Sequence, residues 1–145
     1  MKKHATITLA KSASEIRELE VRYLAEIEED APDEDAINRL DTAIKAEKIT
    51  FFVAKDGEKT VGMCSVSKCF STFACSDVAQ FEDFFILPEY RHSGIARQLA
   101  EYAQKWCAEN GIVSLTVTSS PMDEELYQHL GFTLRLGTTY ANVIE

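Results

Sequence analysis

A chain of 145 residues, 46% of them hydrophobic, is long and apolar enough to build a continuous core over residues 1–145, which excludes disorder as the default and predicts one domain. Its formal net charge of -9 argues against a basic, phosphate-gripping surface, so nucleic acid is not an expected partner. No apolar run approaches the length of a signal peptide or membrane span, so a soluble, cytoplasmic protein with no membrane partner is expected.

In chain order, residues 4–9 alternate polar and apolar and predict a first strand. Ser12-Ala13-Ser14-Glu15 has capping-box spacing, and Ile16, Leu19, Tyr23 and Ile27 follow on one helical face. Asp30-Ala31-Pro32 breaks the pattern before a second helix with the stripe Ile37, Leu40 and Ile44. Residues 50–54 and 60–66 are strand-like and flank Asp56-Gly57, a hairpin signal. The small, polar stretch 67–77 reads as a loop or ragged strand end, and 78–87 as the most apolar strand.

After Pro88-Glu89-Tyr90-Arg91-His92-Ser93-Gly94 comes a third helix, with Ile95, Leu99, Tyr102, Ala103, Trp106 and Cys107 at helical spacing and Asn110-Gly111 as its stop. Residues 112–117 read as a strand. Ser120-Pro121-Met122-Asp123 opens a short helix ending at Gly131, and 132–136 and 139–144 close the chain as two strands around Gly137. The predicted order is βααβββαβαββ, a mixed α/β fold.

Cys64, Cys69, Cys75 and Cys107 show no CxxC spacing and no accompanying histidine cluster, so reduced thiols are expected rather than a metal site. The informative stretch is 81–97, a strand, a tight loop and a helix start with glycine at the turn. A helix N-terminus offers unpaired N–H groups and the positive end of its dipole to phosphate oxygens. Gly94 and Ala96 leave room for that approach, and Arg91 and Arg97 add positive charge. Taken alone, the same pattern describes an ordinary βα turn. The usual nucleotide loops, with Gly-Lys-Ser/Thr or Gly-x-Gly-x-x-Gly, do not occur.

Arg91-His92-Ser93-Gly94-Ile95-Ala96 after the Pro-Glu-Tyr strand exit resembles the acetyl-CoA signature, Arg/Gln-x-x-Gly-x-Gly/Ala, of the GNAT acetyltransferase superfamily. Glu125-Leu126-Tyr127-Gln128-His129-Leu130-Gly131-Phe132 resembles the second signature of that family, and the element order agrees over essentially the whole chain. The resemblance implies a mainly antiparallel, splayed sheet flanked by helices. It also implies an acetyl-CoA-dependent N-acetyltransferase that acts by direct attack of a primary amine, on a small molecule or a peptide. A catalytically silent CoA-binding regulatory module on the same fold is the alternative.

Site residues follow from the same resemblance. The backbone of Phe84, Phe85 and Ile86 would pair with the pantetheine arm, and Arg91, His92, Ser93, Gly94, Ile95, Ala96 and Arg97 would hold the pyrophosphate. A free alkylamine has a pKa of about 10.4, so the acceptor must lose a proton before it attacks. Glu82 stands at the family's position for that base, with adjacent Asp83 as competitor. A solvated strand carboxylate or an ion pair is the other reading of Glu82. Tyr127 stands at the general-acid position, where a core tyrosine with a satisfied hydroxyl is the other reading. Ser120 replaces a frequent asparagine and suits a helix cap better than a cofactor contact. Glu26, Glu28, Glu29 and Asp30 could attract a cation or simply face water. The acceptor's identity is not legible, and a homodimer is the one protein partner considered.

Overall fold

The protein is described here by a computed structural model, over residues 4–144. Five strands form one sheet in the order β1-β2-β3-β4-β5: Thr6–Leu9, Ile49–Asp56, Lys59–Ser71, Ser76–Ile86 and Leu115–Thr116. The first three pairings are antiparallel and the last is parallel. Four helices accompany them: α1 (Arg17–Glu26), α2 (Glu34–Lys45), α3 (Ile95–Glu109) and α4 (Glu124–His129).

Both faces of the sheet are covered, and the burial of β2 shows it. Successive residues Phe51, Phe52, Val53 and Ala54 are all 0–1% exposed, whereas a strand with one wet face would alternate. Phe52 meets the rings of Tyr102 and Trp106 on α3 at 5.6 and 5.5 Å. The residues on either side of it are equally dry, and α2 packs against β2 as α1 packs against β3 and β4. Helix α3 sits close because Gly62 has no side chain: a β-carbon there would lie 2.7 Å from Ile86 Cδ1 and 3.2 Å from Leu99 Cδ1. The side-chain tips of Ile86 on β4 and Leu99 on α3 would have to give way to any larger residue there.

Local signals at the helix starts are only partly realised. Ser12 makes no capping bond; its hydroxyl meets that of Ser14, while Glu15 accepts the Lys11 amide. The turn at Ala13–Glu15 is 3-10, and α1 begins two residues later. Asp33 caps α2 by accepting the Ala36 amide at 2.8 Å. Ser120 likewise caps no amide; its hydroxyl donates to the Asp123 carboxylate at 3.0 Å.

Three expectations are corrected. Residues 67–77 are not a loop: β3 and β4 continue as a hairpin to the pair Ser71↔Ser76. Most of its outer residues are exposed, so the strand carries no apolar alternation for a sequence reading to find. The strand expected at 112–117 is reduced to Leu115–Thr116, which pair in register with Ala79 and Gln80, although the Val113 amide also donates to the Asp77 carbonyl and the Ala79 amide to the Ser114 carbonyl. The strands expected at 132–136 and 139–144 are not formed, so the order among the described residues is βααβββαβα. Leu134, Leu136 and Tyr140 stand 80%, 70% and 91% exposed, without a sheet edge beside them.

Candidate active site

Two irregularities in β4 create the site. Its partner β5 is in register only with Ala79 and Gln80, so among the described residues no strand lies beside the edge facing away from β3 from residue 81 onward. On the β3 side the register moves between Met63↔Phe85 and Ser65↔Glu82. Asp83 and Phe84 therefore oppose the single residue Cys64, which is a β-bulge. Asp83 takes φ 52, a left-handed conformation that aspartate tolerates better than most residues.

The bulge decides where the two neighbouring carboxylates go. Glu82 is exposed, while Asp83 is half-buried and its Oδ2 accepts a 2.6 Å hydrogen bond from the hydroxyl of fully buried Ser65. Burial raises both carboxyls above their ordinary values; the Asp83 charge raises Glu82 further, and the Ser65 bond partly offsets the shift of Asp83. Beside them lies a cleft of about 220 Å³, bordered by Tyr23 of α1, Glu82, Asp83 and Phe84 of β4, Thr118 after β5, and Tyr127 of α4. A larger hollow of about 380 Å³, between α1 and the β2–β3 turn, touches none of the predicted site residues.

Tyr127 reaches the cleft because α4 is pinned to β4 by aromatic contacts. Its ring lies 6.3 Å from Phe84 and 6.0 Å from Phe132, and Phe81 touches Phe84 at 5.2 Å and Phe132 at 5.4 Å. Burial first, then the charges of Asp123 and Tyr23, pushes the Tyr127 phenol up to about 12, so it is fully protonated at neutral pH. Tyr23 is a second phenol on the same cleft; burial, then the charges of Asp83, Glu20 and Glu82, raises it as well.

Glu20 was not singled out by the sequence reading. It sits on α1 one turn after Ile16 and is only 9% exposed, with Oε2 buried and unpartnered among the described residues. Its place on the Ile16–Tyr23 face was the available signal. Burial, then the neighbouring Asp83 charge, raises its carboxyl to about 7 from 4.5. The folded chain therefore holds a proton that the unfolded chain has released across that interval, and stability must fall as pH rises from about 4.5 to about 7. The expected loss is on the order of 3 kcal/mol for Glu20, with Asp83 adding in the same direction. Glu20→Gln should flatten that decline, and urea unfolding between about pH 5 and about pH 8 measures it. An unchanged slope would show that Glu20 is ionised throughout.

The loop between β4 and α3 presents backbone. His92 and Gly94 both take left-handed conformations, φ 59 and φ 92. Buried Ser93 donates its hydroxyl to the Tyr90 carbonyl, which holds the loop closed on itself. Gly94 caps α3 with no side chain and no acidic residue follows in the first turn, so among the described residues no side chain caps the first amides. A β-carbon on Gly94 would meet nothing within 4 Å, so the backbone there is open to approach.

The two arginines differ. Arg91 is turned toward the protein: its Nε donates to the Ile86 carbonyl at 2.9 Å, its NH2 group pairs with Glu26 at 2.7 Å, and it lies over the Phe85 ring. Glu26 is therefore a clasp between α1 and the loop rather than a merely solvated charge. Arg97 is exposed beside Glu101, with a bond to the His129 carbonyl at 3.2 Å. The sites predicted at Phe85 and Ile86 are paired to β3 on one side only, through Met63 and Gly62. Among the described residues, no group of three or more His, Cys, Asp or Glu is arranged to hold a metal ion, and no helix is long and apolar enough to cross a membrane.

Comparison with known proteins adds a family. A sequence model described as the acetyltransferase (GNAT) family matches residues 13–132. An aminoglycoside N(6')-acetyltransferase type 1 of Salmonella typhimurium is 26% identical over 111 residues, covering 70% of this chain and 74% of that protein. Among solved structures, a probable acetyltransferase superposes with a TM-score of 0.85 at 20% identity, covering 97% of this chain and 98% of the other. AAC(6')-Iy in complex with the bisubstrate analogue CoA-S-monomethyl-acetylneamine superposes with a TM-score of 0.79 at 21% identity, covering 98% and 99%. At these identities the superpositions establish a shared fold.

Proposed function

This chain belongs to the acetyltransferase (GNAT) family, and from that premise we propose that it moves an acetyl group from acetyl-CoA to a primary amine of a cationic small molecule. The observation that carries the proposal is the open edge of β4, with its bulge at Asp83, lying between an uncapped helix start and the Tyr127 hydroxyl. An unpaired strand edge can hydrogen-bond an extended amide-containing arm as it would another strand. The α3 N-terminus supplies amides and dipole for phosphate oxygens. The chain's own groups then do the proton work: Glu82 takes a proton from the ammonium of the acceptor, and Tyr127 faces the side from which the thiol departs. Acetyl-CoA, as the family's acetyl donor, supplies the activated thioester.

A cationic acceptor fits the charges around the cleft. Glu82 and Asp83 border it, Glu20 stands behind, and the chain's net charge is -9. The aminoglycoside acetyltransferase relatives point to the same substrate class. The test is turnover with acetyl-CoA across aminoglycosides, polyamines and peptide N-termini, read by thiol release and by mass spectrometry of the products. Acetylated amine with stoichiometric thiol supports the reading. Binding of acetyl-CoA with no turnover on any amine would instead favour a silent CoA-binding module.

The loop assignment gives its own expected result. Gly94→Glu places a negative side chain beside the amides proposed for the pyrophosphate, and Gly94→Ala serves as control because both variants bear the same strain at φ 92. Calorimetry with acetyl-CoA should show the Glu variant at least about tenfold weaker than the Ala variant, given like-charge repulsion at a helix N-terminus. Equal affinities would remove the loop from the cofactor site.

A further inference from the structure

We propose that Glu26 and Arg91 form a latch that holds the C-terminal end of α1 against the loop between β4 and α3, and so fixes Tyr23 as a wall of the acceptor cleft. Both are then positioning residues for the acceptor amine. Arg91 serves the cleft through α1 rather than the pyrophosphate. The inference rests on the acetyl-transfer reading of that cleft.

α1 needs such a fastening. Its start is anchored by apolar burial, with Ile16 and Leu19 only 0% and 3% exposed. Tyr23 and Leu24 are half-buried, and all of residues 25–31 are exposed. The charge at this end of the helix is also unfavourable. A helix C-terminus carries the negative end of the dipole and favours a cation. Yet the last turn of α1 contains no basic residue, Glu26 stands in it, and Glu28, Glu29 and Asp30 follow. Glu26 gains nothing from its own helix. The positive charge comes from another element, as Arg91.

The guanidinium is fixed from several directions. Nε donates to the Ile86 carbonyl at 2.9 Å, the NH2 group pairs with Glu26 Oε2 at 2.7 Å, and the group lies 5.4 Å from the centre of the Phe85 ring. A planar fork makes these contacts together, where the point charge of a lysine would not. The Phe85 ring meets the Tyr23 ring at 6.0 Å. Tyr23 lies about one turn before Glu26, so both residues share a face of α1 and fasten it to the same stretch, residues 85–91. Tyr23 borders the cleft together with Glu82, Asp83 and Tyr127. A shift at the end of α1 therefore shifts a wall of the cleft. Neither hydrogen bond of Arg91 uses the open backbone at Gly94.

The opposite charges separate a latch from simple attraction. For a cationic acceptor, losing the Glu26 charge alone would weaken binding, and losing the Arg91 charge alone would strengthen it. A latch makes both losses harmful, and makes the second loss harmless once the first has occurred.

The experiment compares Glu26→Gln, Arg91→Gln, the double variant and Glu29→Gln, an exposed control that removes the same charge. Acceptor KM should rise about fivefold in each single latch variant, the scale of a half-exposed ion pair joined to a stacked ring. The double variant should be no worse than Arg91→Gln, and Glu29→Gln should match the native protein. Affinity for acetyl-CoA, by calorimetry, should stay within about twofold throughout, since the latch bonds do not use the loop amides. Hydrogen exchange of the last-turn amides of α1 should quicken in both latch variants, a readout that needs no turnover. A protein without turnover on any amine therefore fails the acetyl-transfer reading, while the exchange rates still decide the latch. Unchanged exchange overturns it. So does a lowered acceptor KM in Arg91→Gln, additive losses in the double variant, or an equal loss in Glu29→Gln. Weaker acetyl-CoA binding confined to Arg91→Gln, or tighter binding in Glu26→Gln, would return Arg91 to the pyrophosphate.

Discussion

Replacing Tyr127 with Phe should lower turnover by about 10² to 10⁴ while leaving the affinity for acetyl-CoA within about twofold, since general-acid groups contribute on that scale. The ring survives the substitution, and with it the contacts at 6.3 Å to Phe84 and 6.0 Å to Phe132 that hold α4 against β4. Only the hydroxyl is lost. A phenol near 12 is a weak acid against an ordinary thiol near 8.5, so a full proton transfer in water would be uphill. The cleft changes that comparison, because the burial that lifts the phenol also disfavours a thiolate, as it does for fully buried Cys64, whose thiol is raised by desolvation first. Both charged forms are penalised together, and the hydroxyl stays protonated until the leaving sulfur accumulates charge. Tyr23→Phe is the necessary comparison, since Tyr23 borders the same cleft from α1. Steady-state rates with one confirmed acceptor decide between them. Loss confined to Tyr23→Phe would transfer the role, and full turnover in Tyr127→Phe would leave that residue a packing aromatic.

Much of this arrangement is legible in the sequence, and what is not has specific physical causes. The strand, loop and helix start around Gly94 announce themselves because backbone conformation dictates residue type there. Tyr127 and Phe132 are legible as a motif, and the structure adds the reason for their spacing: both rings pack on the β4 aromatics. Glu20 escaped notice because a charged residue on a helix is read as solvent-facing. Its position one turn beyond Ile16 puts it on the buried face regardless of charge. The extension of β3 and β4 to Ser71 and Ser76 is invisible to periodicity, since a ribbon wet on much of its surface has little apolar alternation to show. The C-terminal segment fails differently. Its strand-like pattern is present in 132–144, but pairing is a non-local event that the pattern alone cannot assign. The parity of Glu82 and Asp83 was open until the register shift at Met63/Ser65 was known.

That register shift shapes the second large effect: Glu82→Gln should reduce kcat/KM by about 10² to 10⁴ near neutral pH, the usual range for a general base. The side chain is exposed at the cleft, so the substitution costs little stability, and the amide keeps its size and hydrogen bonding but cannot accept a proton. An alkylamine with a pKa of about 10.4 gains about tenfold in free base per pH unit below that value, so the deficit should shrink progressively as pH rises. The native profile should instead have an acid limb set by Glu82, whose carboxyl is raised first by burial and then by the Asp83 charge. Asp83→Asn tests the neighbour without collapsing the bulge, because asparagine also tolerates φ 52 and its carbonyl can still accept the Ser65 hydroxyl. Removing that charge relieves Glu82, so the acid limb should move to lower pH, with no recovery at high pH. The two variants thus separate a base from a charge that tunes it. If high-pH recovery appears in Asp83→Asn and not in Glu82→Gln, the buried carboxylate takes the proton, with Ser65 and Glu20 as its immediate surroundings. Equal losses at every pH in both variants would assign the pair to holding the cation, and proton removal to solvent.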